Sequence, residues 1–430
     1  MDGIAGSGGS TGASGSTGRG GNAGTGREAG MGGVAGSSGS TGNSGSAGMG
    51  GSGATGAGGT GQGTPDAAGD GRRDGATAGS GGSDAGVGND APGASGSAGR
   101  DSGLADVTAD AIGDTREASV ADGPLTGAWL HTSGNHLYRG ASVFHGRGAN
   151  FHDTRSCNAC TYAPPVVAEV NRRTDELIDN WKATFVRLDL ENSLTADNRV
   201  QWQGVLDDPA YQADIQSMVT HATAKGAYVL LSLKEESTNS ANDLPTDATN
   251  AIWRKLADMF KNEPNVLYGI TSDPRNDTDS TVWNAMNDSV AAIRAVEAQA
   301  GAPSHIIAVQ GTQQWGRILD YYVTHPIAAG GGQNIVYETH VYNPASDFNM
   351  LFEIPGQTLP VIIGEFGEQD ADDLMQRAEA AGISYLAWTF HGRCPPNLLV
   401  DNSGGGCGVG MELVPTAFGQ QLKDRLATPW

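Results

Sequence analysis

The sequence predicts an α/β protein, a (β/α)8 or TIM barrel preceded by a long disordered segment. Apolar, strand-like runs alternate with amphipathic helical runs, which indicates parallel βαβ units. Eight such runs follow one another within residues 142–390, and eight strands in about 300 residues match a barrel. An open doubly wound sheet is the alternative, but the chain has no glycine-rich phosphate turn and such sheets usually have fewer strands.

Residues 1–122 differ in composition from the rest of the chain. They are mostly Gly, Ser, Ala and Thr, and no Phe, Trp or Tyr occurs before Trp129. Such a segment cannot bury enough apolar surface to offset the entropy lost on ordering. We therefore predict a disordered tether at residues 1–122 and a single barrel domain at residues 123–430.

The tether also bears on where the protein acts. The first residues, MDGIAGSGGS, lack the basic and apolar parts of an export signal. A Gly/Ser tether is nevertheless usual after an export signal or a lipid anchor. We expect a secreted or surface-tethered monomer whose true start or anchor is missing from this chain, with a cytoplasmic protein as the alternative. No apolar run approaches the roughly 18 residues of a membrane span, and the net charge of −22 argues against a nucleic-acid partner.

Each strand is an apolar run that ends in polar residues. We place the eight strands at residues 142–151, 183–190, 227–233, 265–272, 305–311, 334–342, 360–367 and 384–390.

Capping and stop signals place the helices between the strands. Pro165 suits the first turn of the first helix, Asp208 and Pro209 cap and start the second, and Gly226 stops it. A helix over residues 372–381 follows strand seven.

In a barrel the chemistry lies where the strands end. Glu365 ends strand seven and Asp273 ends strand four, so the two carboxylates face each other across the mouth. A carboxylate directly after a buried strand is costly unless it is used or paired. Retaining glycoside hydrolysis needs a nucleophile and an acid/base about 5–5.5 Å apart. We assign Glu365 as the nucleophile and Asp273 as the acid/base.

Five further residues complete the candidate site as substrate-binding or orienting groups. Arg187 ends strand two and can hold the nucleophile ionised, and Tyr342 after strand six can donate a hydrogen bond to it. Trp388 after strand eight offers a flat face for a pyranose ring, and His340 and Trp315 are expected to line the cleft. Each of these residues also has a purely structural alternative. Arg187 could form an ion pair within the barrel, His340 and Tyr342 could be buried polar residues with their hydrogen bonds satisfied, and Trp388 could fill the barrel interior.

This set resembles glycoside hydrolase family 5 of clan A, whose members include cellulases and mannanases. The matching residues are Arg187 in FVRLDL, His340 and Tyr342 in HVY, Glu365 in IGEFG and Trp388 in LAWTF. The resemblance implies, in that order, an arginine that orients the nucleophile, two polar residues of strand six, the nucleophile and a sugar-stacking tryptophan. It also implies an endo-acting β-glycosidase that uses no cofactor and no metal, and it leaves open whether the glycan is cellulose, mannan or a β-1,3-glucan.

The family pattern is broken after strand four. Ser272-Asp273-Pro274 stands where the family has Asn-Glu-Pro, whose glutamate is the acid/base. An aspartic acid can serve if burial and the charge of Glu365 raise its pKa. Its side chain is shorter by one carbon–carbon bond of about 1.5 Å, which would widen the carboxylate gap. We therefore expect reduced activity, and the alternative function is a carbohydrate-binding pseudoenzyme.

A second break follows strand three. The run LSLKEES, with Lys234, Glu235 and Glu236, stands where the family usually has a histidine. Glu235 or Glu236 is the alternative proton donor. A family-like Asn-Glu-Pro does occur at residues 262–264, but it lies before strand four, and we interpret it as coincidence.

The four cysteines form two clusters, Cys157 with Cys160 after strand one and Cys394 with Cys407 after strand eight. Strands one and eight are neighbours in a closed barrel, so all four lie on one rim. We predict disulfides, as in exported proteins. Four cysteines allow three connectivities, and pairing within each cluster is the default. A zinc site with four cysteine ligands is the rival interpretation.

Overall fold

The predicted barrel is present in the computed structural model of the protein. The structure describes residues 129–155, 157, 160, 164–234, 243–275, 278–402 and 407–430. Its strands are β1 (Leu130–Ser133), β2 (His136–Arg139), β3 (Ser142–Val143), β4 (Arg147–His152), β5 (Phe185–Leu190), β6 (Tyr228–Leu233), β7 (Val266–Gly269), β8 (Ile307–Gln310), β9 (Ile335–Val341), β10 (Val361–Phe366) and β11 (Ser384–Ala387). Strands β4 to β11 are parallel and close into a barrel, with β11 paired to β4. The (β/α)8 prediction is therefore confirmed.

Helices follow the barrel strands as expected. Those of the described residues are α1 (Val167–Asp175), α2 (Pro209–Ala224), α3 (Asp247–Phe260), α4 (Asp279–Ala300), α5 (Asp320–Thr324), α6 (Ala371–Ala380) and α7 (Ala417–Leu426). Asp208 caps α2, since its side chain accepts hydrogen bonds from the backbone amides of Ala210 and Tyr211. The sequence analysis assigned no element to β1, β2 or α7.

The prediction of the first strand at residues 142–151 is wrong in its first half. Ser142–Val143 forms β3, which pairs antiparallel with β2 in a separate three-stranded sheet, and the barrel strand starts only at Arg147. Phe144 accounts for the break. Its ring packs edge-on against Phe185 beneath the barrel, so the chain passes there from one sheet to the other.

The barrel interior has an apolar end and a polar end. The apolar end, where the strands start, is filled by one cluster of buried side chains: Leu130, Leu137, Phe144, Phe185, Tyr228, Leu230, Leu267, Ile306, Ala308, Val336, Ile362 and Leu386. Leu130 and Leu137 come from β1 and β2, so the small sheet closes this end of the barrel. The inward positions nearer the strand ends are polar, and they form the candidate site.

The tether assigned to residues 1–122 lies outside the described residues, as do residues 123–128 at the start of the predicted barrel domain. Among the helices that the structure describes, none has the length and apolar character needed to cross a bilayer.

Gly148 of β4 is expected to tolerate no side chain. An added Cβ would lie 1.8 Å from the backbone carbonyl oxygen of Phe185 on β5, and the strand backbone cannot yield without disturbing the barrel. We expect Gly148→Ala to lower the free energy of unfolding by about 1–3 kcal/mol or more. Gly356→Ala is the control, because its Cβ meets only the flexible end of Ile383, at 3.0 Å. Urea unfolding measures both, and equal stabilities would contradict the prediction.

Candidate active site

Arg187 occupies the centre of the polar end of the barrel. Its side chain is fully buried, and its position on β5 points inward above Phe185. Nη1 donates to Glu365 Oε1 at 2.7 Å and to Asn150 Oδ1 at 3.2 Å. The other end of the guanidinium donates to Ser232 Oγ at 2.9 Å. Arg187 therefore connects strands β4, β5, β6 and β10.

The same guanidinium is an ion-pair partner for three buried carboxylates. Besides Glu365, it lies 3.3 Å from Asp189 and 3.5 Å from Glu338. Burial disfavours its charge, but the carboxylates of Asp189, Glu338 and Glu365 raise its pKa above the ordinary value. Arg187 is thus a fixed cation.

Both oxygens of Glu365 are held by hydrogen-bond donors. Oε1 accepts from Arg187, and Ser272 Oγ lies 3.4 Å from it, while Oε2 accepts from the Tyr342 hydroxyl at 2.7 Å. Burial and the charge of Glu365 hold the pKa of Tyr342 well above its usual value, so the hydroxyl keeps its proton and donates. The carboxylate is oriented, as a nucleophile requires.

Gly364, the residue before Glu365, makes room for a neighbouring carboxylate. A Cβ at this position would lie 1.9 Å from Glu338 Oε1. The glycine of the IGEFG motif is therefore explained by the buried Glu338 on the adjacent strand β9. The sequence analysis did not single out Glu338.

Asp273 lies close enough to Glu365 for a retaining pair. One oxygen of each carboxylate and a ring nitrogen of His340 all lie within 4.8 Å of one another. Asp273 adopts a left-handed backbone conformation with φ of 52°, and its amide donates to Gln310 Oε1 at 3.2 Å. One oxygen of Asp273 thus lies near Glu365 although the side chain is shorter than that of a glutamate.

The pKa of Asp273 is lowered, whereas a role as proton donor requires a raised one. Burial raises it, but the charge and hydrogen bond of His340 lower it more, with help from Lys234 and Arg187, to about 2. His340 Nδ1 lies 2.8 Å from Asp273 Oδ1, so Asp273 is an ionised member of an ion pair at neutral pH.

His340 lies between carboxylates on both sides of its ring. Nδ1 faces Asp273, and also Glu365 Oε2 at 3.6 Å, while Nε2 lies 3.0 Å from Glu338 Oε1. Burial lowers the pKa of this imidazole, but the charges of Glu365 and Asp273 and the two hydrogen bonds raise it to about 10. His340 is therefore a cation at neutral pH.

Trp388 lies beside the pair, but its face is covered. The ring is only 7% exposed, and the Lys234 ammonium lies 3.6 Å from its centroid. The charges of Glu365 and Asp189 raise the pKa of Lys234 against the effect of burial. Lys234, which the sequence analysis noted only as a break in the family pattern, thus points into the site. The sugar-stacking role of Trp388 stays a prediction.

Trp315 lies in the loop after β8 and is half exposed. The guanidinium of Arg275 lies 5.3 Å from its ring centroid, and an added Cβ on Gly316 would lie 2.8 Å from Pro274. The loop carrying Trp315 therefore packs against the segment that carries Asp273.

The structure brings Arg187, His340, Tyr342 and Glu365 together around Asp273, as the sequence analysis expected. It adds Asn150, Ser232, Lys234, Gln310 and Glu338. Alternation along a strand was the available signal, because Glu338 and His340 are two residues apart and share the inward face. Glu235 and Glu236 lie outside the described residues. Glu263 is exposed on a turn before β7, which agrees with its interpretation as coincidence.

The expected pairing of the cysteines within each cluster is wrong. A disulfide joins Cys157 to Cys394 and so links the loops after β4 and β11. Cys160 and Cys407 are buried in the same cluster, which also contains Trp388. Sequence proximity misled the prediction, because the two strands are neighbours in the closed barrel.

Comparison with protein families identifies one match. The model of the family described as Cellulase (glycosyl hydrolase family 5) matches residues 145–393 of the chain. This segment holds every barrel strand and all the candidate site residues named above.

Two characterised relatives are similar over shorter stretches. A mannan endo-1,4-beta-mannosidase of Streptomyces lividans is 26% identical over 167 residues, which are 36% of this chain and 42% of that protein. Endoglucanase A of Butyrivibrio fibrisolvens is 26% identical over 210 residues, 46% of this chain and 43% of that protein. The chain thus spans less than half the length of these two relatives.

Solved structures show the same fold at low identity. The cellulase Cel5C_n superposes with a TM-score of 0.57 at 19% identity, over 70% of this chain and 92% of that chain. The catalytic domain of Thermobifida fusca endoglucanase Cel5A, in complex with cellotetraose, gives a TM-score of 0.56 at 18% identity, over 70% and 97% of the two chains.

We predict that peptide mapping of the unreduced protein will recover Cys157 cross-linked to Cys394. The reason is that the disulfide between them joins the loops that follow β4 and β11. Mass spectrometry before and after reduction makes the measurement, and the reduced digest is the control. A Cys157–Cys160 peptide, four reduced thiols or stoichiometric zinc would each contradict the prediction.

Proposed function

The chain belongs to glycosyl hydrolase family 5, and from this premise we propose that it hydrolyses a β-linked polysaccharide, endo-acting and with retention of configuration. Glu365 is the nucleophile and Asp273 the acid/base. The observation that carries the proposal is the approach of the two carboxylates to within 4.8 Å, close to the spacing of about 5–5.5 Å that retaining enzymes use.

In the first step Glu365 attacks the anomeric carbon as the glycosidic bond breaks. The leaving oxygen takes a proton through Asp273, whose side chain is 29% exposed and can reach it. In the second step water, deprotonated through Asp273, attacks the glycosyl ester and releases Glu365. Arg187 and Tyr342 hold the carboxylate of Glu365 in place, and their hydrogen bonds stabilise its negative charge when the ester is hydrolysed.

The surrounding residues provide the sugar site. We propose that a pyranose ring binds against Trp388, and that Lys234 moves from the ring to donate to sugar hydroxyls. Trp315 contributes a second platform on the Asp273 side, where the leaving part of the chain is expected. Its half exposure supports this role.

The substrate is a β-glucan or a β-mannan. The names of the relatives support both, since one is a mannan endo-1,4-beta-mannosidase and another an endoglucanase. Export of a monomeric enzyme, tethered or free, is part of the proposal, and the Cys157–Cys394 disulfide supports it because such bonds persist in oxidising compartments.

A carbohydrate-binding pseudoenzyme is the second candidate. The ionised state of Asp273 favours it, since an ionised aspartate has no proton to give. The intact hydrogen bonds to Glu365 favour hydrolysis, because binding alone does not require an oriented nucleophile.

We predict that Glu365→Gln will reduce release of reducing ends from glucan and mannan to the level of the blank. A mechanism-based fluorosugar should label Glu365 in the wild type, as mass spectrometry of the peptides can verify. Glu368→Gln is the matched control, since Glu368 is an exposed acid just after the same strand and its variant should keep full activity. Labelling of another carboxylate, with activity surviving in Glu365→Gln, would remove Glu365 from this role.

We expect Asp273→Ala to lose about 10²–10⁴-fold in kcat/KM on substrates with poor leaving groups. On a dinitrophenyl glycoside, which needs no protonation, the first step should survive, and added azide should restore turnover by replacing water. Asp273→Glu, which restores the family residue, is the comparison variant. An Asp273→Ala variant with wild-type kinetics would assign the acid/base to another residue, and a wild type that binds glycan without turnover would establish the pseudoenzyme.

A further inference from the structure

A buried line of three side chains leads from Asp273 into the barrel. His340 lies in the middle, 2.8 Å from Asp273 through Nδ1 and 3.0 Å from Glu338 through Nε2. His340 and Glu338 are fully buried, whereas the Asp273 side chain is 29% exposed. Of these three side chains, Asp273 is therefore the one that reaches the solvent.

The charged groups around His340 come from several strands at the barrel mouth. The anions are Glu338 on the same strand, Asp273 after β7 and Glu365 on β10. The cations are Arg187 on β5, whose Nη1 lies 3.3 Å from Nε2, and Lys234 after β6, whose charge acts on the same Asp273.

The neutral neighbour of the ring is Gln310 on β8. Its amide nitrogen lies 2.7 Å from His340 Nε2 and also donates to Glu338. The two carboxylate contacts at opposite ring nitrogens suit the doubly protonated imidazole, which alone donates to both, whereas the Gln310 amide suits an Nε2 that accepts.

We propose that Asp273, His340 and Glu338 form a proton relay, in which His340 stores the proton that Asp273 delivers to the leaving oxygen. This inference rests on the proposed function and explains how an ionised Asp273 can serve it. Asp273 touches the substrate and is the catalytic residue of the relay. His340 and Glu338 act through it as positioning residues.

The proton balance closes over the two steps. When the glycosidic bond breaks, His340 gives its Nδ1 proton to Asp273, and a proton passes from Asp273 to the leaving oxygen. Glu365 becomes a neutral ester at the same time, so His340 loses both its proton and one neighbouring anion. In the second step water gives a proton through Asp273 back to His340, its hydroxide forms the new bond to the anomeric carbon, and Glu365 regains its charge.

Glu338 has a defined part in this cycle. It is the anion that remains next to His340 in both steps, so it favours return of the proton to the ring. It does not touch the substrate, and Gly364 provides the space for its carboxylate. Glu338→Gln keeps the size and removes the charge, whereas Glu338→Asp keeps the charge.

The first test locates the proton without requiring turnover. NMR of protein labelled with ¹⁵N in its nine histidines follows both ring nitrogens with pH, and His340→Gln identifies the signal. We expect His340 to stay doubly protonated to a pKa of about 10 and to titrate at least about one pH unit lower in Glu338→Gln. Titration near the ordinary value of about 6.5, as expected if Nε2 accepts from Gln310 instead, overturns the relay.

The second test follows the alkaline limb of kcat/KM on a substrate with a poor leaving group. In the wild type this limb should follow the titration of His340, whereas a carboxylic acid acting alone as the donor would lose its proton near pH 6. In Glu338→Gln the alkaline limb should lie at lower pH, by the same shift as the pKa of His340 shows in the NMR titration, with KM unchanged. In Glu338→Asp the limb should return towards its wild-type pH, and in Glu368→Gln it should stay at the wild-type pH.

The outcomes separate the two proposals. If the limb of Glu338→Gln coincides with that of the wild type although the pKa of His340 has moved, the relay is overturned and glycoside hydrolysis stands. If a dinitrophenyl glycoside shows the same displaced limb, Glu338 acts on something other than protonation, which also overturns the relay. A wild type without turnover overturns the proposed function and the delivery step, while the NMR titration still decides where the proton lies.

Discussion

The ion pair between Arg187 and Glu365 is the interaction on which the rest of the site depends. Three carboxylates lie around one buried guanidinium, and removal of one partner from such an ion pair typically costs about 3–5 kcal/mol. Arg187 also reaches Asn150 and Ser232, so strands β4, β5, β6 and β10 meet at one side chain. The cation fixes the carboxylate of Glu365 and makes it possible to bury Glu338 and Asp189 beside it.

The balance of charge around Arg187 is close to neutral. The cations are Arg187, His340 and Lys234, and the anions next to them are Asp273, Glu338 and Glu365. Asp189 is a fourth acid. Burial and the charges of Glu365 and Glu191 raise its pKa, which Arg187 and Lys234 lower, and the result is about 7. A site with its charges balanced in this way can pass one proton inward and outward without leaving a large uncompensated charge.

The fold could be predicted from the sequence wherever an element has a local sequence pattern of its own. The barrel strands after the first are largely apolar runs, as strands buried on both faces are, and their order followed from the alternation with helices. The first strand was misplaced because Ser142–Val143 and β4 read as one run. The two strands are separated by Phe144, whose ring packs against Phe185 of β5. This contact joins residues far apart in the chain, so no local pattern reveals it.

Site residues could be predicted where a local sequence pattern marks them. They were missed where their meeting depends on how the strands pair. Glu365 lies next to the end of an apolar run and Arg187 is the first charged residue within one, so the sequence marks them. The pairing of Cys157 with Cys394, the lysine over Trp388, and Glu338 beside Gly364 all join residues far apart in the chain. No local pattern encodes such pairs, because the closure of the barrel decides which residues meet.

Asp273 shows why a single substitution cannot be interpreted alone. One methylene less than a glutamate means a shorter reach, and the left-handed backbone and the Gln310 contact place the carboxylate near Glu365 regardless. The same placement brings Oδ1 against His340, whose charge ionises it. The same backbone conformation thus both brings Asp273 near Glu365 and sets it against His340. In the proposed relay, the proton that Asp273 lacks is held on His340, whose charge is favoured by Glu365, Asp273 and Glu338.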